Sequence, residues 1–202
     1  MIVKIFAGPK NYDFEKVYTQ DHEEFIVGVD QGALFLMEHN HPIDLAIGDF
    51  DSVTDEQFDA IEKYAKETKK YRKRKDYTDL YLALEEILEM EYHKIVIYGA
   101  MGGRFDHSFA NLSLLRLGSI SIVTEDVIMY ALHPGTHRIK NKHKYISFFA
   151  LEDIEHLTLT GFLFEKKDFE LFIDDPLCIS NEKEGTVSFT EGLLLVIHQN
   201  ED

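Results

Sequence analysis

The sequence predicts an α/β protein in two parts: an N-terminal three-layer α/β domain on a parallel sheet, residues 1–132, then a small all-β sandwich domain, residues 133–202. Three observations predict it. Up to about residue 124, short apolar runs alternate with segments of helical spacing, the pattern of a parallel sheet covered by helices. Beyond about residue 133 the helical spacing disappears, and short β-rich runs follow one another between polar or glycine-containing turns. The chain has 202 residues, 45% hydrophobic and 29% charged, which fits one large domain or two small ones and buries a core without disulfide or metal support.

Ile2 to Phe6, Phe25 to Val29, Asp44 to Ile47, Lys94 to Tyr98 and Ile120 to Thr124 read as buried strands of the first part. Thr54, with Gln57 three residues on, reads as a capping box opening a helix on which Phe58, Ile61 and Ala65 share a face. Leu80, Leu84, Ile87 and Leu88 repeat that spacing in a second helix. In such a fold ligands sit outside the carboxyl ends of the strands. Pro134 and Gly135 mark the turn into the second part, where Tyr145 to Leu151, Leu157 to Phe162, Phe169 to Ile173, Thr186 to Phe189 and Leu193 to His198 read as strands. A β region of this size covers its own faces poorly and calls for a partner.

Charge narrows the function. Twenty-one Lys and Arg against 37 Asp and Glu leave a net charge of -16, which repels phosphate backbones and anionic lipid, so neither nucleic acid nor membrane is expected as a partner. The one cysteine, Cys178, has no disulfide partner and reads as a small core residue. Lys4 interrupts the first apolar stretch, which is too short for a signal peptide, and the expected location is cytoplasmic.

Three clusters carry chemistry. Gly48-Asp49-Phe50-Asp51-Ser52-Val53 follows a strand; if that strand continues, Asp49 and Asp51 point to one side. Two such carboxylates at ~4 Å repel by about 4 kcal/mol at an effective dielectric of 20, which calls for a cation, a shared proton or a basic partner. The alternative is a solvated turn with one of them capping the next helix. Lys75-Asp76-Tyr77-Thr78-Asp79 stands at the start of the Leu80 helix, where acids favour the macrodipole and where simple capping is the competing reading. Gly102-Gly103-Arg104-Phe105-Asp106-His107, with Asn111, leaves a strand through a glycine turn that lets backbone N–H groups approach phosphate oxygens. On a helix Arg104, His107 and Asn111 share a polar side, and Phe105, Phe109 and Leu112 an apolar one; an Arg104 pair with a carboxylate and an Asp106 cap form the plainer alternative. Residues 69–75 hold six basic side chains in seven and read mainly as a solvated face, with a ligand role reserved for Lys75. His39 with His41, and His133 with His137, read as loop or surface histidines.

In their order and spacing these clusters resemble the thiamin pyrophosphokinase family, together with Val29-Asp30-Gln31-Gly32 upstream and Ser180-Asn181-Glu182 in the β region. The resemblance implies an α/β domain followed by a β-sandwich, a homodimer with composite sites, and transfer of the pyrophosphoryl group of ATP to the hydroxyl of thiamin, giving thiamin diphosphate and AMP. It implies Mg²⁺ held by Asp49, Asp51 and Asp79, with Asp76 close by and one carboxylate accepting the hydroxyl proton. ATP would be met by Asp30, Lys75, Thr78, Gly102, Gly103, Arg104, His107 and Asn111, and thiamin by Ser180 and Asn181. The chain departs from the family in reading Val-Asp-Gln-Gly where Asp-Gly-Gly is commoner, and in lacking the tryptophan on which some relatives stack thiamin. Two rivals remain: a haloacid-dehalogenase-like phosphatase with Asp49 as nucleophile, and a non-catalytic thiamin or nucleotide sensor.

Overall fold

Every residue of the first strand after its opening Ile2 is buried, and a strand loses both of its faces to water only when both are covered. The computed structural model describes residues 1–8, 12–71, 77–177 and 179–200. It divides into two units, Met1–Glu125 and Asp126–Asp202.

In the first unit β1 (Ile2–Phe6), β2 (Glu24–Val29), β3 (Leu45–Gly48), β4 (Glu67–Lys70), β5 (Lys94–Tyr98) and β6 (Ile120–Val123) form a parallel sheet in the order β4-β3-β2-β1-β5-β6. The order reverses beside β1, where chain segments leave β1 and β5 toward opposite sides and open a crevice at the carboxyl ends. α1 (Phe14–Val17), α2 (Gln31–Glu38) and α3 (Asp55–Tyr64) cover one face through Phe6, Phe14, Leu36, Ile61 and Tyr98. α4 (Asp79–Leu88) packs on β2 and β3 and buries Leu80, Leu84 and Ile87 on the other. Each such side chain contributes about 1.5–3 kcal/mol on burial. The capping box at Thr54 and Gln57 is formed, with both reciprocal hydrogen bonds in place.

In this unit the one-turn α1, β4 and α2 escape the sequence reading, the last two for clear physical reasons. β4 is Glu-Thr-Lys-Lys, an edge strand whose charges discourage pairing with another chain, so it carries no apolar signal. α2 is buried from Gly32 to Leu36, and a helix apolar nearly all round has no stripe to detect.

The second unit is antiparallel. β7 (Val127–Leu132) pairs with β13 (Glu191–Gln199), and β13 pairs with β9 (Tyr145–Thr160). β11 (Ile179–Asn181) lies against the first half of β9, while β10 (Lys166–Leu171) and β12 (Gly185–Phe189) lie against its second half, with β8 (Gly135–Ile139) beyond β12. Tyr145 to Leu151 and Leu157 to Phe162, expected as separate strands, are thus largely one 16-residue strand. The polar stretch between them is not a turn but the place where β9 passes from one layer of the sandwich to the other. His156 there has φ 56°, and Gly192 opposite has φ +93°, where a Cβ would also lie 2.0 Å from the Asp153 carbonyl oxygen, so both conformation and space call for glycine. Phe148, Leu157, Leu159, Val187, Leu194 and Val196 fill the space between the layers. No helix among the described residues is long and apolar enough to cross a membrane.

Candidate active site

The chain leaves each of β1, β2, β3 and β5 at the same end of the first unit's sheet, and the segments that follow line a cleft of about 380 Å³. Ala7 and Gly8 come from β1, Asp30 and Gln31 from β2, Asp51 and Ser52 from β3, and Gly99, Ala100, Gly102, Gly103 and Arg104 from the segment after β5; α4 adds Thr78 and Asp79, and α5 (Phe105–Ser113) adds His107 and Asn111.

The acidic centre is Asp30, Asp49 and Asp79, one carboxylate oxygen from each lying within 4.8 Å of the others. β3 ends at Gly48 and does not continue, so the expected convergence of Asp49 and Asp51 on one side of a strand is corrected. Phe50 turns at φ 56°, the Asp51 amide donates to Asp49 Oδ1 at 3.0 Å, and Asp51 is exposed at the cleft wall while Asp49 joins Asp30 and Asp79. Phe50 itself is buried against Phe58, which drives the turn. Asp30 is held from both sides: its amide donates to the Ile47 carbonyl at 3.1 Å and its Oδ1 accepts from the Phe50 amide at 2.9 Å. Gly48 is required beneath it, since a Cβ there would meet Asp30 Oδ1 at 2.1 Å. Burial, then the charge of Asp79, with Asp49 adding, push the Asp30 carboxyl up to about 7 against the opposing effect of the Phe50 amide. The three acids therefore share more negative charge than their surroundings compensate.

Asp79 faces the cleft because Thr78 takes the capping role: Thr78 Oγ1 accepts from the Tyr81 amide at 3.2 Å. The glycine turn is tied down by α5. Asn111 is buried and donates from Nδ2 to the Ala100 carbonyl at 2.7 Å, and the Ser108 hydroxyl lies 3.3 Å from the carbonyls of Gly102 and Arg104. Gly102 and Gly103 have φ 92° and 67°, left-handed conformations that favour glycine. Arg104 forks onto Asp106 at 3.1 and 2.5 Å, both side chains largely exposed; this pairing holds the Asp106 carboxyl down at about 2. The apolar side of α5 does not pack inward: Phe105 is 82% and Phe109 70% exposed.

Several expected residues lie elsewhere. Lys75 and Asp76, most of the basic run, and Cys178 fall outside the described residues. Lys69 pairs with Glu86 at 2.7 Å, and Lys70 sits over the Phe58 ring. Ser180 is exposed on β11 and Asn181 is buried in the second unit. His39 and His41 pack among Phe14, Phe35 and Tyr18, and His137 Nε2 lies 2.8 Å from the His133 carbonyl. The sequence reading placed Asp30 with the nucleotide and passed over Gln31, Ala7 and Gly8. Collecting the residues directly after each parallel strand would have found all four, because those positions converge by topology.

Comparison with known proteins agrees with this division. Residues 17–123 match the family model described as thiamin pyrophosphokinase, catalytic domain, and residues 136–194 that described as thiamin pyrophosphokinase, vitamin B1 binding domain. The curated thiamine pyrophosphokinase of Bacillus subtilis strain 168 is 38% identical over 98% of this chain and 97% of its own length. A crystal structure of thiamine pyrophosphokinase from Bacillus subtilis covers all of both chains at 36% identity with a TM-score of 0.87, and that of a thiamin pyrophosphokinase family protein from Enterococcus faecalis does so at 27% identity and 0.89.

Proposed function

Since the chain belongs to the thiamin pyrophosphokinase family, we propose how its own residues carry the family's reaction. The enzyme transfers the pyrophosphoryl group of ATP to the hydroxyl of thiamin, releasing AMP and thiamin diphosphate. The observation that carries the assignment of roles is the meeting of Asp30, Asp49 and Asp79 beside a glycine turn at the carboxyl ends of a parallel sheet.

Asp30, Asp49 and Asp79 fit Mg²⁺: they are hard oxygen donors, close together, and burial first and then the charges of Asp79 and Asp49 raise the Asp30 carboxyl. When bound, Mg²⁺ neutralises phosphate charge and fixes the orientation of the transferred group. Asp51, at the wall of the same cleft, reaches that group from the solvent side, in place of the inner role first expected for it. The backbone of Gly102 and Gly103 and the start of α5 approach the phosphates, and Arg104, exposed and long, exchanges Asp106 for a phosphate oxygen. Thr78 keeps its hydroxyl proton to donate, while Asn111 acts by fixing the turn. On the family resemblance Lys75 and His107 are assigned to ATP, Asp76 to the catalytic acids close to the metal, and Ser180 to thiamin. The phosphatase reading of Asp49 is set aside, because the family models span both units and Asp49 belongs to a group of three acids.

A homodimer in the cytoplasm completes the reading. The exposed Phe105 and Phe109 in the first unit and Phe172 and Ile173 in the second support an interface between copies. Chromatography of the products tests the function: AMP and thiamin diphosphate formed only with a divalent cation are expected. ADP with thiamin monophosphate would overturn the assignment, and binding without turnover would favour the sensor.

A further inference from the structure

Gln31 opens α2 directly after Asp30, and its side chain reaches the turn that follows β3. Its Nε2 donates to the Ser52 carbonyl at 3.2 Å. Only the amide nitrogen can pair with a carbonyl, so the orientation of the amide is set by its partner. The platform it reaches from is fixed: α2 is buried from Gly32 to Leu36, and at Gly32 a Cβ would lie 1.8 Å from the Phe6 carbonyl oxygen, so the helix starts directly against β1. The turn it reaches is Phe50-Asp51-Ser52-Val53, closed by the Val53 amide donating to the Phe50 carbonyl at 3.5 Å, which is long for such a bond. Asp30 already holds one end of that turn, its Oδ1 accepting from the Phe50 amide at 2.9 Å. Gln31 holds the other end, because the Ser52 carbonyl and the Val53 amide belong to one planar peptide unit. Two consecutive residues thus clamp the two ends of one turn, and Asp51 stands between the clamps.

As a stability device the Gln31 bond is poor. Asp51 and Ser52 are exposed, so the Ser52 carbonyl would find water in its absence, and an exposed amide-to-carbonyl bond gains little once the rotamer freedom of a glutamine is lost. As a device for placing Asp51 it is good, because a loosely closed turn held at one end alone lets its tip swing. The tip is where placement counts: Asp51 and Ser52 both line the cleft, with Gln31 beside them. Position 31 is also where the chain departs from the Asp-Gly-Gly commoner in the family, and a glycine there has no side chain to reach Ser52.

We propose that Gln31 is a positioning residue that, by holding the Ser52–Val53 peptide, fixes Asp51 toward the transferred group. This rests on the role given to Asp51 above, so turnover of the parent is measured in parallel. A parent without turnover would overturn that reading, while the amide-exchange measurement below needs no turnover and decides by itself whether Gln31 holds the turn.

Gln31→Met keeps the length of the side chain and removes the donor. Amide hydrogen exchange of the ligand-free protein, read by nuclear magnetic resonance, should be about fivefold faster at Asp51 and Val53 in this variant and within about twofold of the parent's at Phe50, which Asp30 holds. Gln31→Lys, which keeps a donor of similar reach, should restore the slow exchange. In Gln31→Met kcat should fall about tenfold while the KM values for ATP and thiamin each move less than about twofold, because the placement of Asp51 counts at the transferred group and not in ground-state binding. In an Asp51→Asn background Gln31→Met should lower kcat by no more than about a further twofold, since both changes act on one side chain. Uptake of Mn²⁺ by ligand-free Gln31→Met should match the parent's within about twofold, because Asp49 lies on the end of the turn that Asp30 holds. Unchanged exchange at Asp51 and Val53, an unchanged kcat, the full loss of kcat repeated in the Asp51→Asn background, or a loss of Mn²⁺ affinity as large as the loss of kcat would each overturn the proposal. So would a lowered melting temperature in Gln31→Met with slow exchange not restored by Gln31→Lys, which would make Gln31 a residue of the fold alone.

Discussion

Two groups of charged side chains, one within the parallel sheet and one at the carboxyl ends of its strands, solve the problem of burial in opposite ways. Lys4, in the middle of β1 and 1% exposed, is surrounded by compensation: Asp21 at 2.9 Å, Glu24 at 2.8 Å, the Thr19 carbonyl, and the Tyr18 ring at 4.5 Å. Burial pulls the Glu24 carboxyl up, but Lys4, the Tyr18 hydroxyl and the Asp21 amide outweigh it and hold Glu24 below its usual range. Asp30, Asp49 and Asp79 have no described cation among them, and the Asp30 carboxyl rises to about 7. Burial alone therefore does not mark a functional site. Residual charge of one sign does, because folding has left part of the neutralisation to a ligand.

Breaking the acidic group should produce the largest effect. Asp79→Asn removes a charge that the reaction needs and folding does not, so turnover should fall by about 10²-fold or more while the melting temperature holds or rises. Steady-state rates and a thermal melt on the same preparation check it; activity retained with a lower melting temperature would make Asp79 a cap and nothing more. Lys4→Met should do the reverse. It strands Glu24 and Asp21 and should cost about 3 kcal/mol of stability in denaturant unfolding, since breaking a buried pair leaves a charge uncompensated. Activity per folded molecule should be unchanged.

The pH dependence sharpens the contrast further. In the absence of divalent cations the folded chain holds a proton on Asp30 up to about pH 7, whereas the unfolded carboxyl releases it near its ordinary value of 3.8. Between those limits the folded state binds the extra proton, so stability falls as pH rises from about 4 to about 7. Asp30→Asn should flatten that part of the curve, and Mg²⁺ should stabilise the parent more at the alkaline end, where it competes with no proton. Arg104→Ala should have the smallest effect on the fold. Its exposed pair with Asp106 is screened by water, so the melting temperature should not move, while the ATP KM rises about tenfold from loss of a phosphate partner.

How much of this was legible in the sequence follows the same physics. The five apolar strands of the first unit and the Thr54 capping box were readable because local pattern alone specifies them. The charged edge strand β4 and the uniformly apolar α2 were not, since pairing and burial override pattern there. In the second unit the long β9 was read as two strands because its polar middle, Glu152 to His156, looks like a turn when the layers on either side of it are unseen. The acidic motif was visible as residues but not as geometry. Phe50 at φ 56° separates Asp49 from Asp51, and it is the fold that brings Asp30 and Asp79 to Asp49 from β2 and α4. Asn181 was visible as a motif residue, but only its hydrogen bonds show that it grips Phe164.

The central claim, that Asp30, Asp49 and Asp79 form a divalent-cation site, is tested most directly by titrating the ligand-free protein with Mn²⁺ and following free Mn²⁺ by electron paramagnetic resonance. Manganese shares magnesium's preference for oxygen donors. The parent should take up a stoichiometric ion competed off by Mg²⁺, Asp49→Asn and Asp79→Asn should each weaken that uptake by about tenfold or more, and Lys4→Met should leave it intact. Equal Mn²⁺ affinity in the parent and in both Asp→Asn variants would contradict it.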